Sequence, residues 1–163
     1  MYGIEQVLAQ VKAKLQADLP AKLAALNAEY ADAYTLTTPA AASYETVFEE
    51  ATARALMARG GFPAVIVAPQ PETAGEVALD DEYEIAHGVT VAVVVQNADW
   101  RAQQVLLMRY LRALKEILGA QAALACGTCR YEGGGFAAEY VMGQNNILRD
   151  IVAVFTVTTY QRP

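Results

Sequence analysis

The most constraining feature of this sequence is a long stretch of alternation, EYEIAHGVTVAVVVQ, near the middle of the chain. A period of two places successive side chains on opposite faces of a β-strand. From Tyr83 to Val95, apolar side chains and His87 occupy every second position, and mostly polar or small residues fill the others until Val94. A strand of this kind is not stable alone. The chain must pair it within a sheet and cover its apolar face.

Two segments have the helical periodicity needed to cover such a sheet. The first is residues 3 to about 29, with leucines and valines at helical spacing. Pro20 predicts a kink or break near residues 18–20 because it lacks an N–H. The second runs from Trp100 to Leu118, with Asp99 as its N-cap. Its predicted buried face consists of Gln103, Leu107, Tyr110, Leu111, Leu114 and Leu118.

The other predicted elements are shorter. They are a loop over 30–43, a helix over about 44–58 ended by Gly60 and Gly61, a strand over 62–68, a mobile acidic loop over 69–82, a strand over 122–131, a flexible EGGGFAA connection, a short strand at 140–142 and a closing strand over 151–160. The closing strand is apolar on both faces in its first half, which predicts a central strand or one that is covered on both faces.

These elements predict an α+β fold in the order α-α-β-β-α-β-β. The sheet is expected to be a single four-stranded one, mostly antiparallel or mixed, flanked by helices. We expect one domain over residues 1–163, with an N-terminal helical region of about 1–42 and an α/β core of about 43–163.

The amino-acid composition indicates whether the chain folds and which kinds of partner it disfavours. Hydrophobic residues make up 55% of the chain and charged residues 18%, which predicts a folded protein. The net charge of −6 disfavours generic nucleic-acid binding. The N-terminus lacks the basic start and apolar block of a signal peptide, and the apolar runs are too short to span a bilayer. We expect a cytoplasmic, non-membrane protein.

The sequence offers no recognisable catalytic centre, so we predict no enzymatic activity, no metal and no cofactor. No phosphate-binding loop or nucleophile elbow is present, and Gly133–Gly135 is interpreted as a hinge or tight turn. Cys126 and Cys129 form a CxxC without a second ligand pair, which favours two partly buried strand residues. His87 is interpreted as a structural strand histidine. The acidic cluster near Asp80 lacks the spacing of a calcium loop.

One helix face has the character of a partner interface. Val105 is an apolar residue among Arg101, Arg109 and Arg112 on the face opposite the predicted core. Trp100 is either an interface anchor or a core residue at the helix start. The oppositely charged partner surface would be the acidic loop with Glu76, Asp80, Asp81 and Glu82.

The layout also resembles a known family. The strand GFPAVIVAPQP is followed by the acidic loop, the strand EYEIAHGVTVAVVVQNAD, the helix WRAQQVLLMRYLRALKEIL and the strand RDIVAVFTVTTYQRP. From about Ser43 to Pro163 this resembles the tail-terminator and tail-completion proteins of long-tailed phages, prophages or gene-transfer particles. The passage through Gln96, Asn97, Asp99 and Trp100 is its most suggestive part.

This resemblance implies a structural virion protein of the tail or neck, present in the host cytoplasm during assembly. Such a protein forms a homo-oligomeric ring, usually a hexamer, that ends tail polymerisation. Its implied partners are the tail tube protein and a head–tail connector protein. DNA would pass through the ring without specific binding. The longer N-terminal region leaves open a connector, neck or baseplate role. A small ligand-binding α+β domain and a thiol oxidoreductase remain as other classes.

Overall fold

The computed structural model describes residues 3–46, 54–56, 58–70, 76–79, 82–97, 99–119, 121–141 and 147–161, with only the backbone for 76–79, 82–83, 137–141 and 160–161. In chain order the elements are α1 (Ile4–Tyr30), a 3₁₀ turn (Ala41–Ser43), β1 (Tyr44–Glu45), β2 (Ala64–Pro69), β3 (Glu76–Leu79), β4 (Glu82–Gln96), α2 (Trp100–Leu118), β5 (Ala122–Leu124), β6 (Gly127–Val141) and β7 (Ile147–Gln161).

These strands form one mixed sheet. Six strands follow one another in the order β1-β2-β4-β7-β6-β5, and β3 pairs with β4 as a seventh. The β1–β2 pair is parallel and all other pairs are antiparallel. β7 is central, and its ladder with β4 extends from the Tyr83–Gln161 pair to the Gln96–Leu148 pair. The β4–β7 pair forms the middle of the sheet, since β2 and β3 pair with β4, and β6 pairs with β7.

The prediction of a four-stranded sheet in the order α-α-β-β-α-β-β was wrong. The predicted acidic loop contains β3, and the predicted EGGGFAA connection lies inside β6. The single strand predicted over 122–131 is two strands, with a turn between them. Pairing with β4 makes residues 76–79 a strand, and pairing with β7 does the same for the EGGGFAA segment. The local sequence of these segments does not indicate a strand.

The N-terminal part of the predicted second helix is also different. Tyr44 and Glu45 form β1 and pair with Val65 and Ile66, because the Tyr44 side chain is buried against the sheet. Residues 54–56 are helical, whereas 47–53 and 57 lie outside the described residues. α1 is not broken at Pro20, since the helix runs through it to Tyr30.

The main core lies between one face of the sheet and the two long helices. Alternate residues of β4 and β7 pack against the apolar stripes of α1 and α2, and Phe155 is fully buried there. A second, smaller cluster on the other face unites Leu56, Ala64, Ile66, Val94 and Leu148. This explains why Val94 interrupts the alternation of β4. No helix in the described part of the chain is long and apolar enough to cross a membrane.

Candidate subunit interface

Helix α2 begins at a well-defined cap. The Asp99 carboxylate accepts hydrogen bonds from the backbone N–H groups of Arg101 at 2.9 Å and Ala102 at 3.3 Å, which confirms the predicted N-cap. The predicted inner face is buried, and the Gln103 side chain donates to the carbonyl of Ile147 at 2.9 Å. The outer face of α2 is therefore held in a fixed orientation beside the sheet.

A surface groove of about 770 Å³ lies along this outer face. Its apolar part is formed by Val105, Met108 and Phe136, and the last two are half exposed, at 50% and 51%. Its polar and aromatic part is formed by Tyr30, Arg101, Gln104, Arg109 and Arg112. Three of the four exposed large hydrophobic side chains in the described residues line this one groove. An apolar centre with a charged rim is typical of a docking surface.

Arg109 lies in this groove, but it is only 7% exposed. Its guanidinium makes two hydrogen bonds to the Asp32 carboxylate and donates to the Tyr34 carbonyl at 2.5 Å. The Tyr30 ring lies 3.9 Å from the guanidinium carbon. The bond from Arg109 lowers the pKa of Asp32, and the same bond raises the pKa of Arg109. Arg109 thus holds the segment after α1 against α2. Helical periodicity predicted that Arg109 would face solvent, but its side chain is buried.

Arg112 is also engaged within the chain. Its guanidinium contacts Glu29 at 2.7 Å, Glu116 at 2.7 Å and the Tyr30 hydroxyl at 2.9 Å. The hydrogen bonds that it donates to these three groups raise its pKa, and the bond to Glu29 contributes most. Arg101, by contrast, is exposed and has no ion-pair partner among the described residues. It is the arginine of this face whose charge is available to a partner.

Trp100 opens α2 and is 57% exposed, so it is not a core residue at the helix start. The Arg149 guanidinium lies 5.3 Å from its ring centroid, within the range of a cation–π contact. This contact holds the indole at the end of the sheet where β4 leads into α2. An exposed, pre-oriented tryptophan is well suited to anchor a partner.

The acidic residues predicted to oppose the arginines lie at the other end of β4. Glu76 begins β3 and Glu82 begins β4, and their backbones are paired in one hairpin. Asp80 and Asp81, which come between Leu79 and Glu82 in the sequence, lie outside the described residues. Phe136 pairs with Ile151, which pairs with Val93, eleven positions along β4 from Glu82. At about 3.3 Å per residue, the hairpin is ~35 Å from the groove along the sheet.

The remaining candidate residues do not assemble into a reaction centre. Cys126 and Cys129 are buried free thiols, and Cys129 lies in β6 as predicted, whereas Cys126 lies in the turn between β5 and β6 and not in a strand. Burial raises the pKa of Cys129 to about 12 and also raises that of Cys126, whereas a reactive thiolate needs a lowered pKa. His87 is 6% exposed, with Nε2 3.4 Å from the Thr159 hydroxyl. Among the described residues, no His, Cys, Asp and Glu cluster is placed to hold a metal ion.

Sequence reasoning missed four residues of the groove, and one of them, Gln104, follows Arg101 by three positions on the same helix face. Met108 follows Val105 by three positions and so shares its helix face, which is a signal that periodicity could have provided. Tyr30 and Phe136 could not be found in this way. They reach the groove from the end of α1 and from β6, and only the pairing of β6 with β7 places Phe136 beside α2.

The protein is an α+β protein with a long-stranded sheet and a surface groove along the outer face of α2. No protein-family model and no curated protein matches the chain. Among solved structures, it is similar to a chain of the "Virion of native gene transfer agent (GTA) particle", with a TM-score of 0.46 and 18% identity over 94% of each chain. A likeness of this degree does not define a function.

Proposed function

We propose that this chain is a structural protein of a phage-like virion and, within it, the subunit of a homo-oligomeric ring that caps the tail tube. The proposal starts from the sequence resemblance to tail-terminator and tail-completion proteins. The observation that carries it is the groove beside α2, where apolar side chains and an available arginine lie on the surface of an acidic protein. Exposed apolar side chains that cluster within a polar rim are a feature of interaction sites.

A ring requires two different, complementary patches on each subunit. The first patch, which we call the α2 patch, consists of Trp100, Arg101, Val105, Met108 and Phe136. The second, the acidic hairpin, carries Glu76, Asp80, Asp81 and Glu82. Because ~35 Å of sheet separates the two along β4, they do not neutralise each other within one chain. They can meet between neighbouring copies, and the opposite charges would select this pairing over like-with-like contacts.

In this proposal six copies close the ring, whose two faces contact the tail tube protein and the head–tail connector protein. Binding of the ring to the last layer of the tube ends tube polymerisation. The negative charge of each copy disfavours adhesion of DNA that passes through the channel. The ring needs no cofactor and no catalytic residue for this role, and it would be found in the virion and, during assembly, in the host cytoplasm.

The sharpest test reverses one charge of the α2 patch. Arg101→Glu should prevent ring formation, as seen by negative-stain microscopy and mass photometry, because it places a carboxylate opposite the acidic hairpin. Lys12→Glu is the matched control: it makes the same charge change on α1 and should leave assembly intact. Arg112 is a poorer choice, since its reversal would also set three carboxylates together with Glu29 and Glu116. Arg101→Glu combined with Asp81→Arg should restore rings.

Rings from Arg101→Glu alone would refute the assigned contact. A wild-type protein that stays monomeric both alone and with tail tubes would refute the ring itself.

A connector or neck protein would use the same kind of contact between copies, so it is the alternative to separate. Purified wild-type protein would be mixed with pre-formed tail tubes and, separately, with portal-bearing heads. Binding to tubes supports the terminator role. Binding to heads alone assigns the chain to the neck instead.

A further inference from the structure

The sheet has an open edge at β6. On one side β6 pairs with β7 from Gly127 to Val141. On the other side β5 covers only Gly127, Thr128 and Cys129. From residue 130 to 141, no strand of the described residues occupies that side of β6. An edge of this length presents backbone N–H and C=O groups that can pair with another chain.

The middle of this edge is not protected in the usual ways. Proteins protect edges with charged side chains, prolines or bulges. In β6 the irregularities fall between Tyr131 and Gly133 and between Phe136 and Glu139. The four residues between them, Gly133–Phe136, pair in regular register and carry no charge. Gly133 and Gly135 have open space where a Cβ would lie. This segment, called the β6 edge below, also borders the groove through Phe136.

A second open edge lies on the other side of the same sheet. β3 pairs with β4 from Glu76 to Leu79, on the side of β4 that faces away from β7. Within the described part of the chain, no strand pairs with the far side of β3. The β6 edge and the outer edge of β3 are therefore two different free edges on opposite sides of the sheet, and the acidic hairpin contains the second.

We infer that β3 of one copy adds as a strand to the β6 edge of the neighbouring copy. The inference deepens the proposed function, because it rests on the two copies being ring neighbours. Charge selects this combination: two β3 edges would bring two acidic hairpins together, whereas β3 against β6 brings the hairpin to the side of the sheet where Arg101 is exposed. Because the two edges differ, the contact is heterologous, as a ring requires.

The sheet geometry adds a measurable feature, a stagger between copies. Within one chain Glu76 is level with Ile85, Thr159 and Gly127, at the end of β6 that β5 already covers. Ala78, two residues beyond Glu76, is level with Gln161, whereas Gly133 and Gly135 pair with Val154 and Val152. For Ala78 to lie opposite Gly133 or Gly135, neighbouring copies in the same orientation must be displaced along the strands by seven or nine residues, which is ~24–31 Å at about 3.4 Å per residue. A constant displacement between successive strands is the shear that closed sheets require.

Disulfide trapping tests this pairing in the full chain. Ala78→Cys would be combined with Gly133→Cys and, in a second variant, with Gly135→Cys, and each protein treated with diamide at ring-forming concentration. Adjacent strands bring Cα atoms to ~4.5–5.5 Å, which permits a disulfide. The native thiols are buried and need not be removed. The matched control is Ala78→Cys with Thr128→Cys, because Thr128 is exposed on β6 but its edge is taken by Ala123 of β5.

We expect at least one of the two test variants to lose most of its monomer band to a ladder of disulfide-linked oligomers on a non-reducing gel. The Thr128 control and the single-cysteine variants should keep most of their monomer band. Rings by microscopy without a ladder in either test variant would overturn the strand pairing and leave the proposed ring in place. A ladder with open filaments, and no rings even with tail tubes, would keep the pairing and refute the tail cap. Equal ladders from the test and control variants would overturn the assignment to the β6 edge.

Discussion

Two buried tyrosines allow a matched test of how the structure treats buried polar groups. Tyr110 is 1% exposed, and its hydroxyl donates to the Thr37 carbonyl at 2.5 Å. Tyr44 is 4% exposed, and its hydroxyl has no partner among the described residues. Burial raises the pKa of Tyr44 to about 12, which reflects the same lack of solvation. Replacement of each by phenylalanine removes one oxygen from a similar environment.

The expected changes have opposite signs. Tyr110→Phe removes a hydrogen bond, but Thr37 lies on the surface and water can reach its carbonyl, so the loss should be about 1 kcal/mol. Tyr44→Phe removes a buried hydroxyl that makes no hydrogen bond to the described residues in the folded state. The free energy of unfolding should therefore rise by about 1 kcal/mol. The two variants should therefore differ by about 2 kcal/mol in their free energy of unfolding.

Urea unfolding followed by far-UV circular dichroism measures this difference directly. Thermal unfolding gives a second readout, since 1 kcal/mol corresponds to about 2–4 °C in a chain of this length. The two variants should lie on opposite sides of the wild type, about 4–8 °C apart. Equal losses in both, or a larger loss in Tyr44→Phe, would refute the reasoning and indicate that the Tyr44 hydroxyl has a bonding partner.

Three further predictions concern the backbone, the helix cap and the thiols. Gly127→Ala should destabilise strongly in urea unfolding, because the new Cβ would lie 1.9 Å from the Thr158 carbonyl oxygen, whereas Gly133→Ala meets open space and should be neutral or stabilising by up to about 1 kcal/mol. Asp99→Ala should lower the free energy of unfolding by about 1 kcal/mol in the same assay, because the α2 cap is lost. Asp99→Asn should keep most of the stabilisation that the cap provides. Burial raises the pKa of Cys129 from 9.0 to about 12, so the folded state holds a proton that the unfolded state releases. Stability should be unaffected by this thiol below about pH 8 and fall by up to about 1.4 kcal/mol per unit between pH 9 and 12, and Cys129→Ala should remove that part of the slope.

Elements whose signal is local could be predicted from the amino-acid sequence. The apolar stripes of α1 and α2 have the helical period, and Asp99 caps α2 through its own neighbours in the chain. The alternation in β4 and the two-sided apolar character of β7 gave their strand assignment and the central place of β7, because a fully covered strand has no polar face.

Features that depend on distant partners could not be predicted, because they arise from contacts between elements. The Gly133–Gly135 segment has no strand signal of its own, and its ladder with Val154–Val152 of β7 makes it part of β6. Arg109 has the helical phase of an exposed residue, yet Asp32 and Tyr30 enclose it because the chain after α1 folds back over α2. The groove exists for the same reason: its walls come from three elements far apart in sequence. Periodicity assigns a residue to a face of its own element, but contacts between elements decide what covers that face.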